Sequence, residues 1–234
     1  MKAIKFTLRG KTAFFKNPEV NTYYYFTYGN IHKPALLGIF GAILGYRGYE
    51  SEFDTYPQYY EKLKDISVSI VPHKENGHFY RKIQYFNNSV GYASHEQGGN
   101  LVVKEQWLEN PEWSIYVLIG NEESQKLAEM IMNKQCVYTP YLGKNDHLAI
   151  IEDTKLVELQ ERNCQDIQIH SLSLASMLEY NWRTAMFKYE EYLPISLKES
   201  TNHYQLEKML LTDAIVKNSY VPIYSDGEIN VTFY

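Results

Sequence analysis

The stretch that most constrains this chain is Thr27 to Gly48, TYGNIHKPALLGIFGAILGYRG. It opens with polar and aromatic residues and then turns almost wholly apolar. Pro34 suits the first turn of a helix, because its missing N–H has no helical partner there. Ala35 to Leu44 are mostly good helix formers. Gly38, Gly41 and Gly45 nevertheless lie among them, and a glycine inside a helix costs about 1 kcal/mol against alanine. Spacings of three and four place all three on one helical face. A glycine face admits another backbone at close range, either a packed sheet or a bound nucleic acid.

The chain has 234 residues, enough for one large domain or two small ones. Its content of 44% hydrophobic and 22% charged residues is that of an ordinary globular protein. Cys136 and Cys164 form neither a disulfide framework nor a metal-site pattern, so a reduced, cytoplasmic setting is expected. Lys2, Lys5 and Arg9 interrupt any apolar run of a secretory signal. The glycine-rich helix falls short of the roughly 20 apolar residues that span a bilayer, so no membrane partner is expected. Net charge is −5, yet residues 1–50 carry +5 and the remainder −10. Basic charge therefore gathers around the opening stretch, as a solvated face or as a polyanion site.

Taken in order, Lys2–Arg9 alternates Ile4, Phe6 and Leu8 against Ala3, Lys5, Thr7 and Arg9, which predicts a half-buried strand. Thr12–Lys16 resumes it, and Asn17-Pro18 marks a turn. The run from Asn21 to Tyr28 holds Tyr23, Tyr24, Tyr25, Phe26 and Tyr28, a strand or an ordered loop. Rings of this run that face outward beside Lys16 and Lys33 would make a stacking platform for bases. A short helix is expected near Tyr59–Leu63 and a strand over Ile66–Val71. Pro72–Asn100 reads as a long protruding hairpin with a mobile tip, carrying Arg81 and Lys82. Leu101–Leu108 and Trp113–Ile119 read as strands. Asn121 caps a helix whose buried stripe is Leu127, Met130 and Ile131.

The order strand–helix–strand, hairpin, strand–helix–strand fits a ferredoxin-like α+β domain over residues 1–146. After His147 a β-rich region, 147–234, is expected to pack directly on it. Its strand-like segments are Leu148–Glu152, Leu156–Leu159, Ile167–Leu172, Met186–Leu193, Tyr204–Leu211 and Ile229–Tyr234.

Recognisable catalytic motifs are absent. The seven histidines have no helical metal-ligand spacing, and there is no phosphate loop, nucleophile elbow or dinucleotide fingerprint. No cofactor or metal is implied. Asp213, Asp226 and Glu228 read as solvated turn residues. His32 stands out, just before a helix N-terminus where anions are favoured and beside Lys33. Such a pair could serve metal-independent RNA cleavage, as base and charge stabiliser. A tyrosine-rich β module that binds carbohydrate or protein is a further reading of the composition.

The sequence Gly10-x-x-Ala13-Phe14-Phe15-Lys16-x-Pro18, an aromatic segment, and then Lys33-Pro34-Ala35-Leu36-Leu37-Gly38-Ile39-Phe40-Gly41-Ala42-Ile43-Leu44-Gly45 resembles the N-terminal signature of the CRISPR-associated protein-five family. These are RAMP-superfamily subunits of type I Cascade complexes. Pro140-Tyr141-Leu142-Gly143-Lys144 resembles the family's later Leu-Gly-Arg or Leu-Gly-Lys turn. The resemblance implies a ferredoxin-like, RRM-related domain with a β-hairpin thumb. It implies a non-catalytic subunit that grips the 5′ handle of the CRISPR RNA and caps the backbone filament. The implied partners are that RNA, the Cascade backbone subunit and the large subunit, with target DNA near the protospacer-adjacent motif met indirectly. One branch of the family instead processes precursor RNA with Tyr, Lys and His, for which Tyr28, His32 and Lys33 are the right types. The RNA-facing residues it implies are Lys11, Phe14, Lys16, Lys33, Gly38, Gly41, Gly45, Tyr46, Arg47 and Lys144, with Arg81 and Lys82 on the thumb. The family often has arginine where this chain has Lys16 and Lys144. Lysine offers a point charge rather than a bidentate fork, which suits phosphate contact better than base reading.

Overall fold

Strand β1 (Lys2–Arg9) sits inside the main sheet and has a paired neighbour on either side. The computed structural model describes residues 1–20, 22–50, 55–92, 95–164, 166–199 and 201–234. In chain order come β2 (Thr12–Ala13), α1 (Lys33–Leu44), α2 (Gln58–Leu63), β3 (Val68–Pro72), β4 (Tyr80–Asn87), β5 (Val102–Glu109), β6 (Glu112–Leu118), α3 (Glu122–Met132) and β7 (Ile150–Glu158). The four-stranded sheet has the order β3-β6-β1-β7, antiparallel at every pairing. With α1 joining β1 to β3 and α3 joining β6 to β7, this is the ferredoxin-like α+β topology that the order of elements predicts.

One face of the sheet carries Ile4, Phe6, Leu8, Trp113, Ile115 and Val117 into a core shared with Leu36, Leu37, Phe40 and Ile43 of α1 and Leu127 and Ile131 of α3. Burying a side chain such as Phe40 contributes roughly 1.5–3 kcal/mol. The opposite face departs from the half-buried expectation. Ala3 and Tyr116 are buried there against Leu159 and Val231. Lys5 reaches Asp226 at 2.8 Å, and the Tyr116 hydroxyl donates to the same carboxylate at 2.7 Å. Asp226 is thus no solvated turn residue. Burial alone would raise its pKa, but Lys5, Tyr116 and the backbone N–H groups of Ile229 and Glu228 outweigh it and hold the carboxyl well below its ordinary value.

The hairpin lies between the second and third strands of the main sheet. Its strands β4 and β5 pair from Tyr80↔Glu109 to Asn87↔Val102, so it begins later and ends later than residues 72–100. At its root β5 also pairs with β2. The tip expected to be mobile includes residues 93 and 94, which lie outside the described residues.

Beyond β7 come β8 (Gln160–Arg162), β9 (Ser173–Leu174), β10 (Leu178–Asn181), β11 (Lys188–Leu197), β12 (Tyr204–Thr212), β13 (Ile215–Ser219), β14 (Ile223–Ser225) and β15 (Asn230–Val231). They form three small sheets, β11-β12-β9, β10-β13 and β15-β14-β8. Leu193, Leu197, Met209 and Leu211 enter the same core as α1. Two of the expected strands, Leu148–Glu152 and Leu156–Leu159, are one continuous β7, with a register shift opposite Lys5–Thr7 and Asp153 at φ 52°. Strand β7 follows residue 146 in the chain yet closes the main sheet against β1. Of Ile167–Leu172 only an isolated bridge at Gln168 remains, and of Ile229–Tyr234 only two residues pair as a strand.

The Leu142–His147 turn is seated on the segment after β1. Phe14 N–H donates to Leu142 O at 3.1 Å, and Leu142 N–H donates to His147 O at 2.7 Å. Gly143 adopts φ 91°, and a Cβ there would lie 1.8 Å from the Phe14 carbonyl oxygen. Gly143→Ala is therefore expected to destabilise the protein by more than about 2 kcal/mol, from left-handed strain plus a backbone clash. Chemical denaturation reads this out as a lower midpoint with an unchanged slope.

Candidate nucleic-acid interface

Helix α1 begins at His32, which has extended backbone and whose Nδ1 accepts from Ala35 N–H at 3.3 Å, with Pro34 in the first turn. It ends at Gly45, in the left-handed region at φ 78°. The three glycines have separate roles. A Cβ on Gly41 would lie 2.5 Å from Tyr59 Cβ, so this glycine lets α2 pack close. A Cβ on Gly45 would lie 2.9 Å from Val137 Cγ2. A Cβ on Gly38 would meet nothing within 4 Å.

Gly38 opens onto a groove of about 1270 Å³. Pro34, Ala35, Gly38, Ile39 and Ala42 form its helical side, a strip of mostly small residues. Phe14, Phe15, Lys16 and Tyr25 form a second side. These residues are placed by a short ladder in which Asn17 N–H donates to Phe26 O and Tyr28 N–H to Phe15 O, both at 2.8 Å. The hairpin contributes Phe86, Val103 and Glu105, and the glycine turn contributes Gly143, Lys144, Asn145 and Asp146. Tyr46, Arg47, Tyr138, Tyr141 and Tyr204 complete the rim. A groove with so many rings offers stacking surfaces for bases, and Lys16, Arg47 and Lys144 line it as well.

The cations are poised to different degrees. Lys16 Nζ lies 4.2 Å from the Tyr25 ring centroid, the cation-beside-ring arrangement expected of the tyrosine run. Arg47 is exposed, and its guanidinium pairs with Glu50. Lys144 Nζ lies 3.1 Å from Glu105 Oε1 and 5.2 Å from the Phe86 centroid. The Tyr46 hydroxyl donates to Glu123, and burial together with that acid pushes its pKa up to about 12.

Of the residues singled out from the sequence, Phe14, Lys16, His32, Gly38, Tyr46, Arg47 and Lys144 meet at the groove. The others do not line it. Lys33 turns away, its Nζ donating to Tyr234 O at 3.2 Å, and burial lowers its pKa. Tyr28 is buried with its ring edge-on to His32, at 5.3 Å between centroids. Gly41 and Gly45 are packing positions. Lys11 is exposed in the turn after β1. Arg81 points toward Gly29, where a Cβ would meet its Nη2 at 2.6 Å. Lys82 lies 3.7 Å from Glu109. Sequence reasoning missed Glu105, Phe86 and Tyr204, which come from distant strands. Only the aromatic richness of the chain hinted at the last two.

His32 is 2% exposed. Its ring centroid stands 5.9 Å from that of Phe15 and 5.2 Å from that of Tyr204, and burial lowers its pKa to about 3. Because Nδ1 accepts the helix cap, the neutral ring carries its proton on Nε2.

No family model matches the chain, and no curated protein matches it. Solved structures do share its fold. One is a CRISPR RNA-guided surveillance complex chain, 12% identical, with 91% of each chain covered and a TM-score of 0.54. A second is a CRISPR protein from Archaeoglobus fulgidus, 10% identical, covering 99% of this chain and 98% of that one at a TM-score of 0.55. A third is a chain of the Type III-B Cmr-beta complex bound to cognate target RNA and AMPPnP, 11% identical, covering 92% and 86% at a TM-score of 0.50. At these identities the likeness is one of fold. No helix among the described residues is long and apolar enough to cross a membrane.

The His32 burial makes stability depend on pH. Between about pH 6.5, its ordinary value, and its folded value of about 3, the unfolded chain binds a proton that the native ring refuses. Stability is therefore full above that window and falls as pH drops through it. Between pH 6.5 and 5 the loss from this group is on the order of 2 kcal/mol. His32→Asn keeps a capping side chain, so its denaturation midpoint should fall less steeply over the same range than that of the unaltered protein.

Proposed function

We propose that the chain is a non-catalytic RNA-binding subunit of a CRISPR surveillance complex. Within that class, it holds the 5′ handle of the CRISPR RNA in a type I Cascade complex and caps the backbone filament, in the cytoplasm. The observation that carries this reading is the groove along α1. Gly38 leaves the helix backbone open to close approach, while Lys16, Arg47 and Lys144 stand among aromatic rings along the same groove. Part of the signature that resembles the CRISPR-associated protein-five family borders this groove, through Phe14, Lys16, Pro34, Gly38, Gly143 and Lys144, and the fold likeness points the same way. The backbone and large subunits would be the protein partners. Target sequence would be read by guide pairing rather than by this chain.

A catalytic reading needs His32 to accept a proton. Its accepting nitrogen is occupied by the helix cap, its pKa is about 3, and Lys33 is drawn to Tyr234. These contacts favour the non-catalytic reading. Purified protein incubated with precursor RNA in EDTA is expected to leave it uncut. Cleavage abolished by His32→Ala would overturn this.

RNA binding should weaken with salt, with a log–log slope that grows by about 0.7 for each single-strand phosphate neutralised. Fluorescence anisotropy on the Lys16→Ala, Arg47→Ala double variant should show a shallower slope, whereas Lys33→Ala should leave the slope unchanged. An unaltered slope in the double variant would count against the groove as the binding site.

Gly38→Ala separates packing from binding. In a helix interior with empty space beside it, this change should stabilise the protein by about 1 kcal/mol. It should also weaken RNA binding, because the added methyl stands where the ligand backbone approaches.

A further inference from the structure

The groove holds a buried acid where a purely phosphate-binding surface has no use for one. Glu105, on β5, is 5% exposed and lines the groove. Its Oε1 and Oε2 accept from Lys144 Nζ at 3.1 and 3.2 Å, and Oε2 also accepts from Trp107 Nε1 at 2.8 Å. Lys144 Nζ lies 5.2 Å from the Phe86 centroid and 5.7 Å from that of Phe14, so apolar rings neighbour the ion pair. The backbone of β5 at this position is pinned by the tyrosine run, since Tyr25 N–H donates to Lys104 O and Gln106 N–H donates to Tyr25 O, each at 2.9 Å. The carboxylate is therefore fixed in position and paired with Lys144, whose Nζ also lies 3.7 Å from Asp146 Oδ2.

An ionised carboxylate has about four acceptor sites, and the three donor contacts leave room for one more. A phosphate cannot fill it, because two anions repel. A neutral donor can, and the edge of an unstacked base supplies one. Cytosine carries an amino donor at the ring position where uracil carries a carbonyl. The amino group completes the coordination of Glu105, whereas the carbonyl meets the carboxylate acceptor to acceptor. Discrimination thus comes from a repulsive contact as well as an attractive one.

We propose that Glu105 is a base-reading residue of the groove, selecting an amino-bearing base of the cytosine type over uracil at the position beside Phe86 and Lys144. This rests on the reading of the groove as an RNA site and adds sequence preference to it. The residue is poised for this because Lys144 and Trp107 hold its carboxylate within the protein, leaving the bound base to supply a hydrogen bond rather than a charge.

The test uses the full chain with fluorescently labelled oligo(rC) and oligo(rU) of equal length. The unaltered protein should bind oligo(rC) about ten-fold more tightly, the scale of one hydrogen bond to a charged group. Glu105→Gln is close to isosteric, and its amide can donate to uracil as well as accept from cytosine, so the ratio should fall toward one. Lys144→Gln should weaken both polymers and keep the preference for oligo(rC), and thermal melting confirms that both variants fold. Equal binding of the two polymers by the unaltered protein overturns base reading while leaving the groove as an RNA site. A preference unchanged in Glu105→Gln overturns the assignment to this residue. Binding of neither polymer removes the RNA reading of the groove and base reading with it.

Discussion

The groove depends on the contact of two backbones, the Phe14 carbonyl against Gly143. Any side chain at Gly143 would collide with that carbonyl, so the turn can dock only through a glycine in the left-handed region. Once docked, it carries Lys144 to Glu105 on the hairpin and sets the Thr12 hydroxyl within 2.7 Å of His147 Nδ1. Three segments far apart in the chain, 12–16, 102–109 and 142–147, thereby become one wall. The facing wall is α1, held in place because Gly41 lets α2 approach and because Leu36, Leu37, Phe40 and Ile43 are buried on the sheet.

Electrostatics in this protein are mostly local. The excess basic charge of residues 1–50 does not form a continuous patch. Lys5 is committed to Asp226, Arg9 to Glu152, Arg47 to Glu50 and Lys33 to Tyr234. The exposed pairs among these, Arg9–Glu152 and Arg47–Glu50, contribute little to stability and exchange readily with other anions. Arg47 therefore remains able to meet a phosphate, whereas Lys5, tucked beneath the sheet with Tyr116 and Asp226, is structural. The −10 carried by the rest of the chain is consistent with a protein that limits non-specific attraction of polyanions.

Much of the fold was legible from pattern. The strand at Lys2–Arg9, though not its half-burial, the proline and glycines around α1 and the Asn121 cap each report a local preference that the structure honours. The β-rich C-terminal region was legible in character but not in detail. Strands of two to five residues such as β9, β10 and β14 carry too little periodicity to be told from turns, and their pairing depends on partners tens of residues away. The break expected within β7 is a bulge, because a left-handed Asp153 interrupts the pattern without ending the strand. For the candidate site, composition and resemblance identified residue types near α1 but could not say which way each side chain turns. Lys16 and Lys33 are alike as residues. One lies over Tyr25 at the groove and the other reaches the last residue of the chain.

By itself the sequence determined the main elements of the first 146 residues: the strand at Lys2–Arg9, where α1 starts and stops, the capped helix after Asn121, and that the glycines of α1 must serve some close approach. These follow from backbone preference and side-chain period, which act over a few residues. Only the tertiary structure decided what those elements do together. It divided the three glycines into two packing positions and one open position, turned Lys33 away from the groove, and brought Glu105 to Lys144. Those outcomes rest on burial and on contacts between segments about 20 to 200 residues apart, whose free energy exists only when the whole core has formed.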